Sequence, residues 1–134
     1  AKERALEKLQ LVGLDESFYQ RFPSQVSGGQ CQRAALARAL TANPSVLICD
    51  EITSALDVST QAHIVSLIGE LKGEVSIVFI THDLALVSEL ADRLLVLDEG
   101  EVAECGATES VVANPQSGCA KKLMSSVFSL GGLG

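Results

Sequence analysis

The sequence predicts an α/β protein built on a parallel sheet, and three observations carry that reading. Two short apolar runs rich in branched residues, 46–49 and 75–80, have the composition of strands in a parallel sheet covered on both faces. Between them Val58, Ala62, Val65, Ile68 and Leu71 recur at helical intervals behind Asp57, a good N-cap. Strand, helix and strand in that order make a parallel crossover unit. Third, segments of helical pattern precede this unit, and a hairpin with two short helices follows it.

In chain order, Ala5, Leu6, Leu9 and Val12 place one apolar face on a helix over 2–12, which Gly13 stops. Residues 14–26 contain Pro23 and several polar residues and read as a short helix or loop. From 28 to 42 the chain is rich in alanine and leucine and is predicted helical, with Asn43-Pro44 as its terminator. After the crossover unit, a helix over 84–91 leads into a strand at 94–97. Glu99-Gly100 then turns the chain back into a strand at 101–105, which gives the hairpin. Short helices are expected around Ser110 and over 121–127, and Gly131-Gly132-Leu133-Gly134 is read as a mobile tail.

The 134 residues are 47% hydrophobic with few aromatics, enough for one modest core. A net charge of -7 and a pI near 4.7 argue against a nucleic-acid partner, because phosphate recognition on that scale needs a clustered basic face. No apolar run approaches the roughly 20 residues that cross a bilayer, and Ala1-Lys2-Glu3-Arg4 opens as a charged helix rather than a secretory leader. Cys31, Cys49, Cys105 and Cys119 are scattered without C-x-x-C spacing, so they are expected as reduced thiols with no metal role. Cys49 closes an apolar run and is expected to pack as a small hydrophobe.

Three places carry candidate chemistry. Ser27-Gly28-Gly29-Gln30 opens the second helix, and Ser27 with Gln30 makes a capping box. Two consecutive glycines in a first turn weaken a helix, however, and are better explained if something approaches the bare backbone. An anion suits the amides and the positive helix end that meet there. Asp50-Glu51 follows the first apolar run, and ligands of parallel sheets bind at the carboxyl ends of strands. Two adjacent acids there call for a cation, or for a salt bridge or several hydrogen bonds. His82 follows Ile80-Thr81 at the end of the second run, which puts it at the same sheet edge as the acids. His63 lies mid-helix and is assigned no role.

Ser27-Gly28-Gly29-Gln30 with the following Ala37-Arg38-Ala39-Leu40, Asp50-Glu51, Ser54-Ala55-Leu56-Asp57 and His82 stand in the order of the signature, Walker B, D-loop and switch histidine of ATP-binding-cassette (ABC) ATPases. The chain resembles the C-terminal part of such a subunit over nearly all of 1–127. The resemblance implies the rear half of a P-loop NTPase, RecA-like core preceded by the ABC helical subdomain: 1–43 helical with the signature, 44–98 core, and 99–134 hairpin, short helices and tail. It implies ATP and Mg2+ as ligands, with Asp50 on the metal, Glu51 as general base and His82 on the terminal phosphate. Ser27, Gly28, Gly29 and Gln30 would close on ATP held by a second subunit, and Asp57 would lie in the dimer seam, whether or not it also caps its helix.

No G-x-x-x-x-G-K-[ST] phosphate loop occurs, so the resemblance implies a fragment that lacks the nucleotide cradle and is inactive alone, with its front half upstream of Ala1. The stretch from Gly100 to Gly106, with Thr108 to Val112 and Asn114-Pro115-Gln116, is similar to oligopeptide, dipeptide and nickel importers. Permease subunits in a membrane, a second ATPase subunit, and a cytoplasmic place on the membrane's inner face follow from that likeness. Departures are Cys31 where a basic residue is common, Ile52 where proline is usual, and Ser117-Gly118-Cys119 where the subfamily continues with histidine, proline and tyrosine. An ABC ATPase of DNA repair or translation, or a non-catalytic interaction fragment, is the alternative. Coiled coils, zinc modules or basic arms would mark the former, and none is visible in the sequence.

Overall fold

Helix α1 (Lys2–Leu11) forms where the apolar spacing places it, in a computed structural model that describes residues 1–131. Two short 3-10 helices, Glu16–Gln20 and Pro23–Gln25, fill the stretch read as helix or loop. They are followed by α2 (Gly28–Thr41), β1 (Val46–Asp50), α3 (Val58–Leu71) and β2 (Ser76–Ile80). After them come α4 (Leu84–Leu90), β3 (Arg93–Asp98), β4 (Glu101–Ala107), α5 (Thr108–Ala113) and α6 (Gly118–Gly131). Of the expected tail, residues 132–134 lie outside the described residues, and Gly131 closes α6. The chain divides into two compact units, Ala1–Ile80 and Thr81–Gly134, so the boundary falls within the stretch 44–98.

In the first unit α1 packs on α2 and buries Leu9, and the chain leaves α1 through the buried Val12 and Leu14. Gly13 between them has φ +75, a conformation that side chains oppose. Arg33 of α2 donates from Nη1 to the carbonyls of Val12 at 3.2 Å and Gly13 at 3.0 Å, which fixes this exit. Helix α3 starts on its N-cap Asp57 and buries Ile64, Val65, Leu67 and Ile68. β1 and β2 pair in parallel from Val46↔Ser76 to Asp50↔Ile80, so the crossover unit is present.

One expectation is corrected. The strand composition predicts cover on both faces, yet only one face of this pair has it. Leu47 and Cys49 are buried, at 5% and 1% exposure, whereas Val46, Ile48, Val78 and Ile80 keep 45–67%. Register partners share a face in a parallel pair, so these four residues and Asp50 line one open side. A continuous apolar run signals the burial that a strand is suited to, not the neighbours that supply it.

In the second unit β3 and β4 form the expected antiparallel hairpin, with an irregularity between Val96 and Leu97. The turn uses Glu99 at φ 48 and Gly100 at φ 82, the paired positive angles that a two-residue hairpin favours. Val87, Leu94, Val96, Val111, Ala120 and Met124 form its core. Helix α6 begins earlier than its apolar pattern suggested. The Ser117 hydroxyl accepts from the Ala120 amide at 3.0 Å and caps the helix, while the Glu104 carboxylate accepts from the amides of Gln116 and Ser117 at 3.0 Å. No helix among the described residues is long and apolar enough to cross a membrane.

Candidate functional site

Asp50 ends β1 opposite Ile80, on the open face and exposed. Glu51 comes next with φ 51, in the left-handed region that a residue with a side chain seldom occupies. Its backbone is held from both directions. The Glu51 amide donates to the Ile80 carbonyl at 2.9 Å and so extends the strand pairing by one residue. Its carbonyl accepts from the Ser54 hydroxyl at 2.9 Å and from the Ser54 amide at 3.3 Å. The pivot at Glu51 therefore turns the chain off the strand end and leaves its half-buried side chain at the carboxyl edge of β1. Ser54 in this role was not foreseen, although a serine shortly after a strand end is a common turn signal.

At α2, both halves of the expected capping box are present. The Ser27 hydroxyl accepts from the Gln30 amide at 3.2 Å, and Gln30 Oε1 accepts from the Ser27 amide at 3.0 Å. The Gly28 and Gly29 amides, first in the helix, have no intrahelical acceptor. Ser27 and Gly28 are exposed, and Gly29 and Gln30 are half-buried. The first turn of α2 meets the segment after the acid pair, because a side chain on Gly29 would lie against Leu56 and Ala55.

Asp57 serves its helix: Oδ1 accepts from the Thr60 amide at 2.8 Å and Oδ2 from the Thr60 hydroxyl at 3.0 Å. The Thr60 amide, and then its hydroxyl, hold the Asp57 carboxyl below its ordinary range. Cys49, buried on the other face of β1, has its thiol pushed up to about 11 by desolvation. The first unit thus brings the Ser27 turn, the 54–57 segment and the acid pair into one stretch of packed structure. His82 is exposed and belongs to the second unit. Its backbone follows a tight turn: the Asp83 amide donates to the Thr81 hydroxyl at 3.0 Å, and Asp83 Oδ1 accepts from the Ala85 and Leu86 amides to start α4.

Among the described residues no three or more His, Cys, Asp or Glu side chains gather as a cation cage. Asp50 offers one carboxylate at a strand end. That donor set fits magnesium, which keeps several waters and takes phosphate oxygens alongside one or two carboxylates, and not an ion held wholly by protein.

A parallel crossover with an acid pair at its strand end, behind a glycine-bearing capped helix, is the arrangement expected from the resemblance to ABC-type cassettes. Residues 2–54 match the ABC transporter family. Oligopeptide transport ATP-binding protein OppF of Salmonella typhimurium is 44% identical over 128 residues, 94% of this chain and 38% of that protein. Methionine import ATP-binding protein MetN of Desulfitobacterium hafniense is 45% identical over 127 residues, 93% of this chain and 37% of its own length. Among solved structures, a dimeric ATP-binding cassette in a post-hydrolysis state bound to ADP and Pi superposes with a TM-score of 0.74 at 39% identity, over 79% of this chain and 46% of that one. The chain therefore spans less than two fifths of the length of these two relatives and just under half of that solved cassette. Its fold is a mixed α/β part of an ABC cassette, as the motif order implied.

Proposed function

We propose that the chain forms part of the ATP-hydrolysing subunit of an ABC importer. The observation that carries this is Asp50-Glu51 at the carboxyl end of β1, with the Glu51 peptide pinned between Ile80 and Ser54. In this reading Asp50 holds Mg2+, in part through water, and Glu51 accepts the proton of the attacking water. His82 contacts the terminal phosphate. Ser27, Gly28, Gly29 and Gln30 close on ATP carried by a second ATPase subunit, with Asp57 in the same seam, where bare amides and a helix end favour an anion. The metal, when bound, offsets phosphate charge. The working division is a signature-bearing helical part over 1–43, a core over 44–98 and a C-terminal part over 99–134.

The partners proposed are that second subunit and membrane permease subunits on the cytoplasmic face. The names of the relatives, which denote oligopeptide transport and methionine import, support an importer. The motifs around Gly100–Gln116 favour peptide or nickel as cargo within that class. The chain has no phosphate-loop motif, so it contributes to a nucleotide site only in part.

Two measurements test this. The purified 134-residue chain is expected to hydrolyse no ATP above blank, and turnover that Glu51→Gln abolishes would overturn the partial-site reading. Joined behind a segment that supplies a phosphate loop, Glu51→Gln is expected to slow hydrolysis about 10²-fold or more and leave ATP binding intact. An equal loss of binding and rate would make Glu51 a ligand or a structural acid instead.

A further inference from the structure

The two glycines of the first turn of α2 are bare for different reasons. Neither has a positive φ, so neither is required by its own backbone conformation. A Cβ on Gly28 would meet nothing within 4 Å. A Cβ on Gly29 would lie 3.2 Å from Leu56 Cδ2 and 3.4 Å from the Ala55 carbonyl oxygen, and the first of these is closer than such contacts comfortably allow. Alanine is the better helix former at both places, so the two sites would respond alike if only helix propensity or an outside ligand mattered.

Leu56 occupies the junction that makes this contact consequential. With Gln32, Arg33 and Leu36 of α2, and with Ile52 and Ile64, it lines a small hollow beside α2. Its amide donates to the carbonyl of the buried Thr53 at 3.2 Å. Two residues before it, Ser54 grips the Glu51 carbonyl through its hydroxyl and its amide. A continuous run of contacts thus leads from the Ser27 turn through Gly29 and Leu56 to the peptide of Glu51.

We infer that Gly29 is a positioning residue, whose missing side chain seats Ala55 and Leu56 on the first turn of α2 and so joins the Ser27 turn to the Glu51 pivot as one body. The physical basis is interior packing: a close-packed junction transmits a displacement of a few tenths of an ångström instead of absorbing it. Its functional consequence rests on the roles proposed above for Ser27 and Glu51. The contact itself does not. In an active cassette the coupling means that a shift of the Ser27 turn, on closing against a phosphate, is felt at the base. Gly28 has no such duty and remains the bare position open to an approaching ligand.

The test is a mutant cycle in the 134-residue chain, read by thermal or denaturant midpoint and by amide hydrogen exchange. Gly28→Ala is expected to raise the midpoint. Gly29→Ala is expected to leave it unchanged or lower it and to speed exchange several-fold at residues 54–57. In a Leu56→Ala background, Gly29→Ala should raise the midpoint as Gly28→Ala does, because the Leu56 Cδ2 that crowds it is gone and the Ala55 carbonyl oxygen at 3.4 Å is in ordinary contact. A Gly29→Ala chain that fails to fold supports the inference if Leu56→Ala restores folding and overturns it if not. Equal stabilisation by Gly28→Ala and Gly29→Ala in the parent background also overturns it. With a phosphate loop supplied, Gly29→Ala should lower kcat more than it raises KM, with partial rescue by Leu56→Ala. If Glu51→Gln proves silent there, the proposed function fails while the stability cycle still reports on the contact.

Discussion

At Glu51 the backbone and the side chain answer to different demands. The φ of 51° costs a residue with a Cβ about 1 kcal/mol relative to glycine, and two anchors keep it there. Comparing Glu51→Gly with Glu51→Ala isolates that cost, since both remove the carboxyl group. Glu51→Gly should be the more stable by about 1 kcal/mol in urea unfolding; equal midpoints would mean that the conformation is not strained. Cys49 gives a second residue-scale expectation. Only the thiolate reacts readily, and burial both hides this thiol and pushes its ionisation up to about 11. Titration with a disulfide reagent near pH 8 should modify the exposed Cys31 and Cys105 quickly, and Cys49 only after unfolding.

Helix starts were the most legible elements, because their chemistry is local. Ser27 with Gln30, and Asp57 with Thr60, lie within one turn of each other and cap α2 and α3 as read from the sequence. Ser27→Ala is accordingly expected to destabilise the chain by about 1 kcal/mol, visible as a lower denaturant midpoint at unchanged slope. Contacts that reach further left no pattern to read. Arg33 reaches back 20 residues to the Gly13 carbonyl, and Glu104 reaches forward 13 to Ser117. The second of these makes α6 sensitive to pH. The Ser117 amide, and then the Gln116 amide, hold the Glu104 carboxyl below its ordinary value of 4.5, so folding favours the ionised form. The stability it contributes is complete above about 4.5 and is lost as pH falls through the lower folded value. Glu104→Gln should therefore lower the thermal midpoint at pH 7 and flatten its fall below pH 4.5; an unchanged acid limb would exclude Glu104 as the titrating group.

For the whole molecule, the informative mismatch is between what the strands are built for and what covers them. Order and direction of β1, α3 and β2 followed from apolar runs and helical spacing, whereas the open side of the sheet did not, since a sequence states preference and only the folded chain shows supply. This side sets the chain apart from a finished sheet: Ile48 is 67% exposed beside a neighbour, Leu47, at 5%. The two therefore predict opposite outcomes for similar losses of side-chain volume. Leu47→Ala should cost about 2–4 kcal/mol by leaving a cavity in packed surroundings, and Ile48→Ala should cost well under half of that, because most of its surface already faces water. Urea unfolding of the two variants in the 134-residue chain decides the matter. Equal costs would mean that Ile48 is covered in solution, and a midpoint that rises with protein concentration would show that a second copy of the chain supplies the cover. Midpoints independent of concentration, with Leu47 alone costly, would leave Val46, Ile48, Val78 and Ile80 as an apolar surface of the folded chain, the size and chemistry of face that proteins usually bury against a further layer.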